Sequence, residues 1–370
     1  MVPATIELVK QSIPTPRIKS NKSDENVRPI DDLIKVAGLV RNRRNSAPGI
    51  TSRLRRLRQE TASGEELFAP TPVPDVLGSG VGLLKVTAWR DRKSLSKWLW
   101  HGFSTRVGGV SRAYATEDAP GELNLGFTAA DGRDAVMQNR RLLAEAVTGS
   151  SNTPIVTLRQ FHSSLVVVAG KGDADRERPC KADGVITAEP GVLIAIQTAD
   201  CIPVLVADRK RRVVAGFHAG WRGTVKRIVE VGVGRMRLEF GSQPEDLIAA
   251  IGPGVGQCCY AVGEEVLSEF ESQFSYAREL FREVFDSDQV RKKYPLLFLT
   301  QRAPGHSPIG PAMHLDLIEA NRRQLLDAGL KVSAISTTGG CTSCHTELFF
   351  SHRASHGHAG RMMSVIGMRG

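Results

Sequence analysis

The residues best suited to chemistry lie in one stretch, Thr198-Ala199-Asp200-Cys201-Ile202-Pro203-Val204 and, a short turn later, His218-Ala219-Gly220-Trp221-Arg222-Gly223-Thr224. Between them stand two apolar runs, Ile202 to Ala207 and Val213 to Phe217, separated by Arg209-Lys210-Arg211-Arg212. Short Val- and Ile-rich runs bounded by a charged turn read as buried strands. A hairpin about 209–212 gives paired positions that sum to about 421. Cys201 then faces Gly220, and His218 faces Pro203. The two reactive residues fall two places apart on facing strands, a diagonal of roughly 7–8 Å between backbones. Side chains can close that gap around one metal ion or one proton.

Three readings of this pair stay open on spacing alone. In the first, Cys201 and His218 hold a catalytic metal with a third ligand. His162, in Gln160-Phe161-His162-Ser163 at a strand end just upstream, is the best candidate. Three protein ligands on zinc leave a fourth position for water, whose pKa drops to about 7. In the second, His218 activates Cys201 as a nucleophile. In the third, a buried cysteine and an unrelated histidine share a hairpin.

Two other patterns are weaker. Cys341-x-x-Cys344-His345 has the form of a haem attachment site, but it stands near the end of a large α/β chain. A zinc ribbon needs a second cysteine pair at suitable spacing, and the vicinal Cys258-Cys259 offers poor geometry for one. His356-Gly357-His358 is a single His-x-His, where a multicopper centre needs several.

The elements that must position these residues alternate in type. Strands are expected at Leu83 to Val86, Ile155 to Leu158, Leu165 to Ala169, Ile248 to Ile251 and Met362 to Ile366. Helices are expected at Asp134 to Ala146, at Val225 to Phe240 with Thr224 as N-cap, at Glu264 to Phe270 and at His314 to Leu326. Val107-Gly108-Gly109-Val110-Ser111 reads as a Gly-rich loop beside Arg106, suited to phosphate or carboxylate. The fold class is therefore α/β.

Residues 1–80 differ in composition. They are rich in Pro and Ser, with an Arg-rich run from Arg41 to Arg58, and read as a basic, mostly disordered extension. The folded domain spans 81–370. Net charge is +10, which suits an anionic small substrate. Aromatic residues are 6% of the chain and are not interleaved with basic ones, so nucleic acid is not expected as a partner. No apolar run reaches the ~20 residues of a membrane helix. No secretory signal layout appears, and the expected location is cytoplasmic. Six cysteines in such a chain read as thiols or ligands rather than a disulfide framework.

Taken with Gly252-Pro253-Gly254-Val255-Gly256-Gln257-Cys258-Cys259-Tyr260 and Phe349-Phe350-Ser351-His352-Arg353, the two central motifs resemble the laccase-domain family. It is also called the multicopper polyphenol oxidoreductase or peptidoglycan editing factor family. The match runs in order from about residue 84 to 370.

This resemblance implies a single mixed-sheet, sandwich-like domain with flanking helices. It implies a zinc site of His162, Cys201 and His218, with copper less favoured. The implied activity is phosphorolysis of adenosine, inosine, guanosine and methylthioadenosine, with deamination of adenosine, by a monomer or homodimer acting on purine nucleosides and phosphate. Arg106, Arg222, His352, Arg353 and the amides of Gly108 and Gly109 are the candidates for holding phosphate and closing the pocket. Asp200 and Cys201 are placed in the catalytic set with Arg222. One position departs from the family pattern: Ala261 follows Tyr260 where an acidic residue is usual. An amidase acting on peptidoglycan precursors, a polyphenol oxidase, and a binding module driven by residues 1–80 are the alternatives.

Overall fold

In the computed structural model, residues 80–90, 92–115, 120–174, 176–284 and 312–370 are described. The basic extension expected over 1–80 lies, but for Gly80, outside them.

Two sheets face each other, with helices on both outer sides. The six-stranded sheet runs in the order Ile335–Thr337, Leu247–Ile251, Ile202–Asp208, Val213–Ala219, Gly184–Thr187, Val166–Val168. The five-stranded sheet runs Leu83–Leu84, Leu99–Ser104, Met362–Met368, Leu193–Thr198, Ile155–Val156. A three-stranded sheet, Ala261–Val262, Ala312–Leu315 and Phe281–Val284, stands apart from both.

Strand period two sorts the side chains into layers. On the hairpin, Val204, Val206, Ala215 and Phe217 point outward to Ile228, Val229, Met236 and Leu325 of the helices Ile228–Phe240 and Leu317–Asp327. Leu205, Ala207 and Val214 point inward, against Phe103, Ile194, Ile196 and Ile366 of the other sheet. That sheet's outer residues, Leu193, Ala195, Met363 and Val365, pack on Leu143, Ala144 and Val147 of the helix Arg133–Thr148. Both faces of both sheets are thus buried, which is why these strands read as unbroken apolar runs. Each fully buried Leu, Ile or Phe contributes about 1.5–3 kcal/mol.

The central hairpin pairs Ile202 with Ala219 and Pro203 with His218, the register read from the sequence. Other elements differ. Thr224 is not an N-cap: it lies inside a short helix, Trp221–Val225, and its hydroxyl accepts from Asn321 Nδ2 at 3.1 Å. The chain breaks at Arg227, left-handed at φ 59°, before the longer helix begins. His314 belongs to the strand Ala312–Leu315, and Asp316 caps the helix that follows. The expected loop at Val107–Ser111 is extended. A Cβ on Gly109 would lie 2.3 Å from the Glu122 carbonyl oxygen, and one on Gly108 would strike Gly80. These glycines permit close passage of backbone past backbone.

Candidate functional site: a His, Cys, His group behind one buried carboxylate

The site forms where the central hairpin opens. Cys201 is the residue before the strand Ile202–Asp208, and His218 lies on its partner strand. His162 sits in a left-handed turn at φ 64°, and Asp200 at φ 92°. Two of the five non-glycine residues with positive φ among the described residues therefore belong to this one place. Such strain persists only where the surroundings impose it.

Asp183 imposes it. This fully buried carboxylate accepts the backbone N–H groups of Phe161 at 3.1 Å, His162 at 2.9 Å and Ser163 at 2.7 Å, and the Ser163 hydroxyl at 2.7 Å. It also accepts Nδ1–H of His218 at 2.8 Å. One residue thus fixes the turn carrying His162 and the ring of His218 together. Burial alone would raise the Asp183 carboxyl, but the bonds from His218 and Ser163 outweigh it and hold the group well below the usual carboxylate range. In the sequence, Ala182-Asp183-Gly184 reads as no more than a turn entering a strand.

With Nδ1 engaged, His218 keeps Nε2 for Cys201. The Cys201 Sγ and His162 Nε2 lie 3.8 Å apart, and the two imidazole centroids lie 4.9 Å apart, edge to face. The ligand atoms of His162, Cys201 and His218 all fall within 4.8 Å of one another. Burial pushes the Cys201 thiol up, but the charge of His218 and the hydrogen bonds from His162 and His218 bring it down to about 6. His218 is lowered by burial and raised more strongly by Cys201 and Asp183, to about 9. The pair stabilises thiolate beside imidazolium, a state a divalent cation can replace. Two imidazoles and a thiolate around one point, with a carboxylate behind one ring, are a donor set that fits zinc. Gly220 completes the packing, because a Cβ there would lie 2.8 Å from Cys201 Sγ.

Asp200 has a different task. Its carboxylate accepts the hydroxyls of Thr342 at 2.7 Å and Ser351 at 2.6 Å, and the N–H of Arg353 at 2.6 Å. It draws the segment 342–353 over the site. Arg353 lies over the Tyr260 ring at 5.3 Å. Burial raises the Tyr260 hydroxyl to about 12, with Cys201 and Asp200 adding to the rise and Arg353 and Arg222 opposing it. Tyr260 therefore stands within the field of four candidate site residues, a role its place in the motif did not announce. Arg222 is exposed, stacked on Trp221 at 4.3 Å. His352 is exposed in the same segment.

Arg106, Gly108 and Gly109 are engaged elsewhere. Arg106 pairs with Glu122, donates to the Thr346 carbonyl at 2.6 Å and lies over Phe350 at 4.8 Å. Its charge is matched within the fold.

Among the described residues a second group can hold a metal: Cys258, Cys259, Cys341 and Cys344. The sequence reading discounted the vicinal pair, but residues 257–259 form a tight turn in which Cys259 and Tyr260 N–H both donate to the Gly256 carbonyl at 3.0 Å. In a turn, adjacent side chains need not diverge as they do along a strand. Neither metal-capable group includes His356 or His358.

Residues 100–369 match the family model described as multi-copper polyphenol oxidoreductase laccase. The chain belongs to that family. Among relatives in this laccase family, purine nucleoside phosphorylase YlmD of Bacillus subtilis is 32% identical over 296 residues, covering 77% of this chain and 94% of the relative. The purine nucleoside phosphorylase of Deinococcus radiodurans is 37% identical over 270 residues, covering 72% and 88%. The crystal structure of the Bacillus licheniformis hypothetical protein YfiH superposes with a TM-score of 0.63 at 29% identity, covering 80% of this chain and 98% of that one. No helix among the described residues is long and apolar enough to cross a membrane.

Proposed function

We propose that this laccase-family chain is a zinc-dependent purine nucleoside phosphorylase with adenosine deaminase activity, acting on adenosine, inosine, guanosine and methylthioadenosine in the cytoplasm. The observation that carries the reading is the junction of two features. Arg353 lies over the Tyr260 ring, and the charges of Cys201, a member of the metal-capable group His162, Cys201 and His218, and of Arg222 reach the hydroxyl of the same residue. The relatives' printed names support the same reading.

Phosphorolysis forms a bond from a hydrogen phosphate oxygen to ribose C1′ and breaks the C1′–N9 bond, and the departing purine takes up the proton that the phosphate loses. Arg222 and Arg353 would neutralise the phosphate. The Tyr260 ring offers an aromatic face to a base. In this reading Arg106 secures the loop Thr346–Phe350 behind Arg353. Asp200, with both oxygens engaged, positions the same segment beside Cys201. Zinc held by His162, Cys201 and His218 supplies, when bound, the Lewis acidity that activates water for attack at C6 of adenosine. His218, held by Asp183 through Nδ1–H, would present Nε2 to the metal beside Cys201.

The test is incubation of the zinc-loaded chain with adenosine, with and without phosphate, and product identification by mass spectrometry. Adenine with ribose 1-phosphate only when phosphate is present, and inosine when it is not, are the expected products. Both should vanish in Cys201→Ala. Absence of product in either condition overturns the reading.

A further inference from the structure

We propose that Cys258, Cys259, Cys341 and Cys344 form a second metal centre, a four-thiolate site for a zinc-class ion that ties the loop 252–260 to the segment 338–353. It shares no residue with the His162, Cys201, His218 group and does not depend on the phosphorylase reading.

Geometry comes first. All four sulfurs lie within 4.8 Å of one another. Cys344 Sγ is 3.3 Å from Cys259 Sγ and 3.5 Å from Cys258 Sγ. Zinc–sulfur bonds of about 2.3 Å at tetrahedral angles put sulfurs about 3.8 Å apart, so small shifts complete the shell. Sulfur-only ligation selects soft or borderline ions over magnesium or calcium.

The backbone meets the cluster at one sulfur. The Gly256 N–H donates to Cys341 Sγ at 3.2 Å. A Cβ on Gly256 would lie 3.1 Å from Cys341 Cβ and 3.2 Å from Cys258 Sγ, so the residue there must be small. The two loops are already in register: Thr342 N–H donates to the Gly254 carbonyl at 3.0 Å, and His345 N–H to the Cys341 carbonyl at 3.1 Å. The four ligands are thus presented by two hydrogen-bonded turns.

The centre would act on the first site by position. Tyr260 directly follows Cys259, and the Thr342 hydroxyl within the Cys341-x-x-Cys344 turn donates to Asp200. A metal here fixes both sides of the opening above Cys201. The four cysteines are positioning residues in this proposal.

The experiment is a metal count by native mass spectrometry on full-length chain purified under reductant and supplied with zinc. Two ions per chain are expected, falling to one in Cys344→Ser, to one in Cys201→Ala, and to none in the double variant. Cobalt reconstitution identifies the ligands: Cys201→Ala should show the strong charge-transfer absorption of several thiolates, and Cys344→Ser the weaker band of one. Should Cys344→Ser not fold, the unaltered chain decides, since Cys258, Cys259, Cys341 and Cys344, together with Cys201, should resist alkylation until a chelator is added. A single ion that persists in Cys344→Ser, a disulfide among the four cysteines, or four freely alkylated thiols in zinc-saturated chain would each overturn the proposal. Nucleoside turnover does not enter any of these readings.

Discussion

The two sulfur-bearing centres are assembled in opposite ways. At the first, strand register and one carboxylate do the work: His162, Cys201 and His218 come from neighbouring elements, and Asp183 aims two of them. At the second, two loops more than eighty positions apart meet edge to edge, and the sulfurs touch one another and a single backbone amide rather than a side chain that aims them. Their acidity follows. Surrounded by imidazoles, the Cys201 thiol is drawn down to about 6. Among thiols alone, Cys344 is raised to about 11, first by burial and then by Cys259. A mixed nitrogen and sulfur shell leaves room for chemistry, and a sulfur-only shell closes around its ion.

The sharpest way to break this contrast is Cys201→Ala. Turnover should fall on the order of 10³-fold or more if the proposed reaction is centred on the His162, Cys201, His218 group. Retained turnover would move catalysis elsewhere. Next comes the difference in thiol reactivity. In metal-free chain at pH 7, iodoacetamide should label Cys201 faster than Cys344 by on the order of a hundredfold, although Cys344 is the more exposed. The pH profile for Cys201 should rise through about 6, since its folded pKa is depressed and thiolate appears above that value. A midpoint near that of an ordinary thiol would remove the imidazole effect from the account.

Asp183→Asn should cost about 10–100-fold in zinc affinity at the first centre and leave the count at the four cysteines unchanged. Loss at both centres would show that the two are not separable. The smallest effect divides the arginines. Arg353→Ala should raise the KM for phosphate about tenfold, as expected for one lost charge-assisted contact of ~1.5 kcal/mol. Arg106→Ala should lower the melting temperature and leave that KM within about twofold, given its pairing with Glu122. Reversal of these two results would return Arg106 to the phosphate site.

What the sequence disclosed follows the same division. The hairpin register was legible because both runs are continuous and apolar and the turn between them is charged, so one alignment buries every residue. The pairing of His218 with Pro203 then followed by arithmetic. Asp183 was not legible, because a carboxylate before a strand looks like any turn residue until its acceptor bonds are seen. The grouping of the four cysteines was not legible for the complementary reason: vicinal Cys258-Cys259 offers poor geometry for one ion until the turn of the backbone there is seen. Thr224 failed as a cap because Arg227, left-handed, splits the helical run in two. Val107–Ser111 has the composition of a loop but needs glycine for close backbone contact.

One feature of the fold bears on how the chain is made. The strand Met362–Met368 lies in the middle of the five-stranded sheet, between Leu99–Ser104 and Leu193–Thr198. At ordinary elongation rates it leaves the ribosome roughly ten to thirty seconds after Leu193–Thr198. Until then two apolar strand edges wait without their shared neighbour, and neither sheet face can close. The nascent polypeptide therefore passes through a long interval with these apolar edges exposed. A ribosome stalled before Met362 would hold a chain with its inner layer open, sensitive to protease and prone to edge-to-edge association.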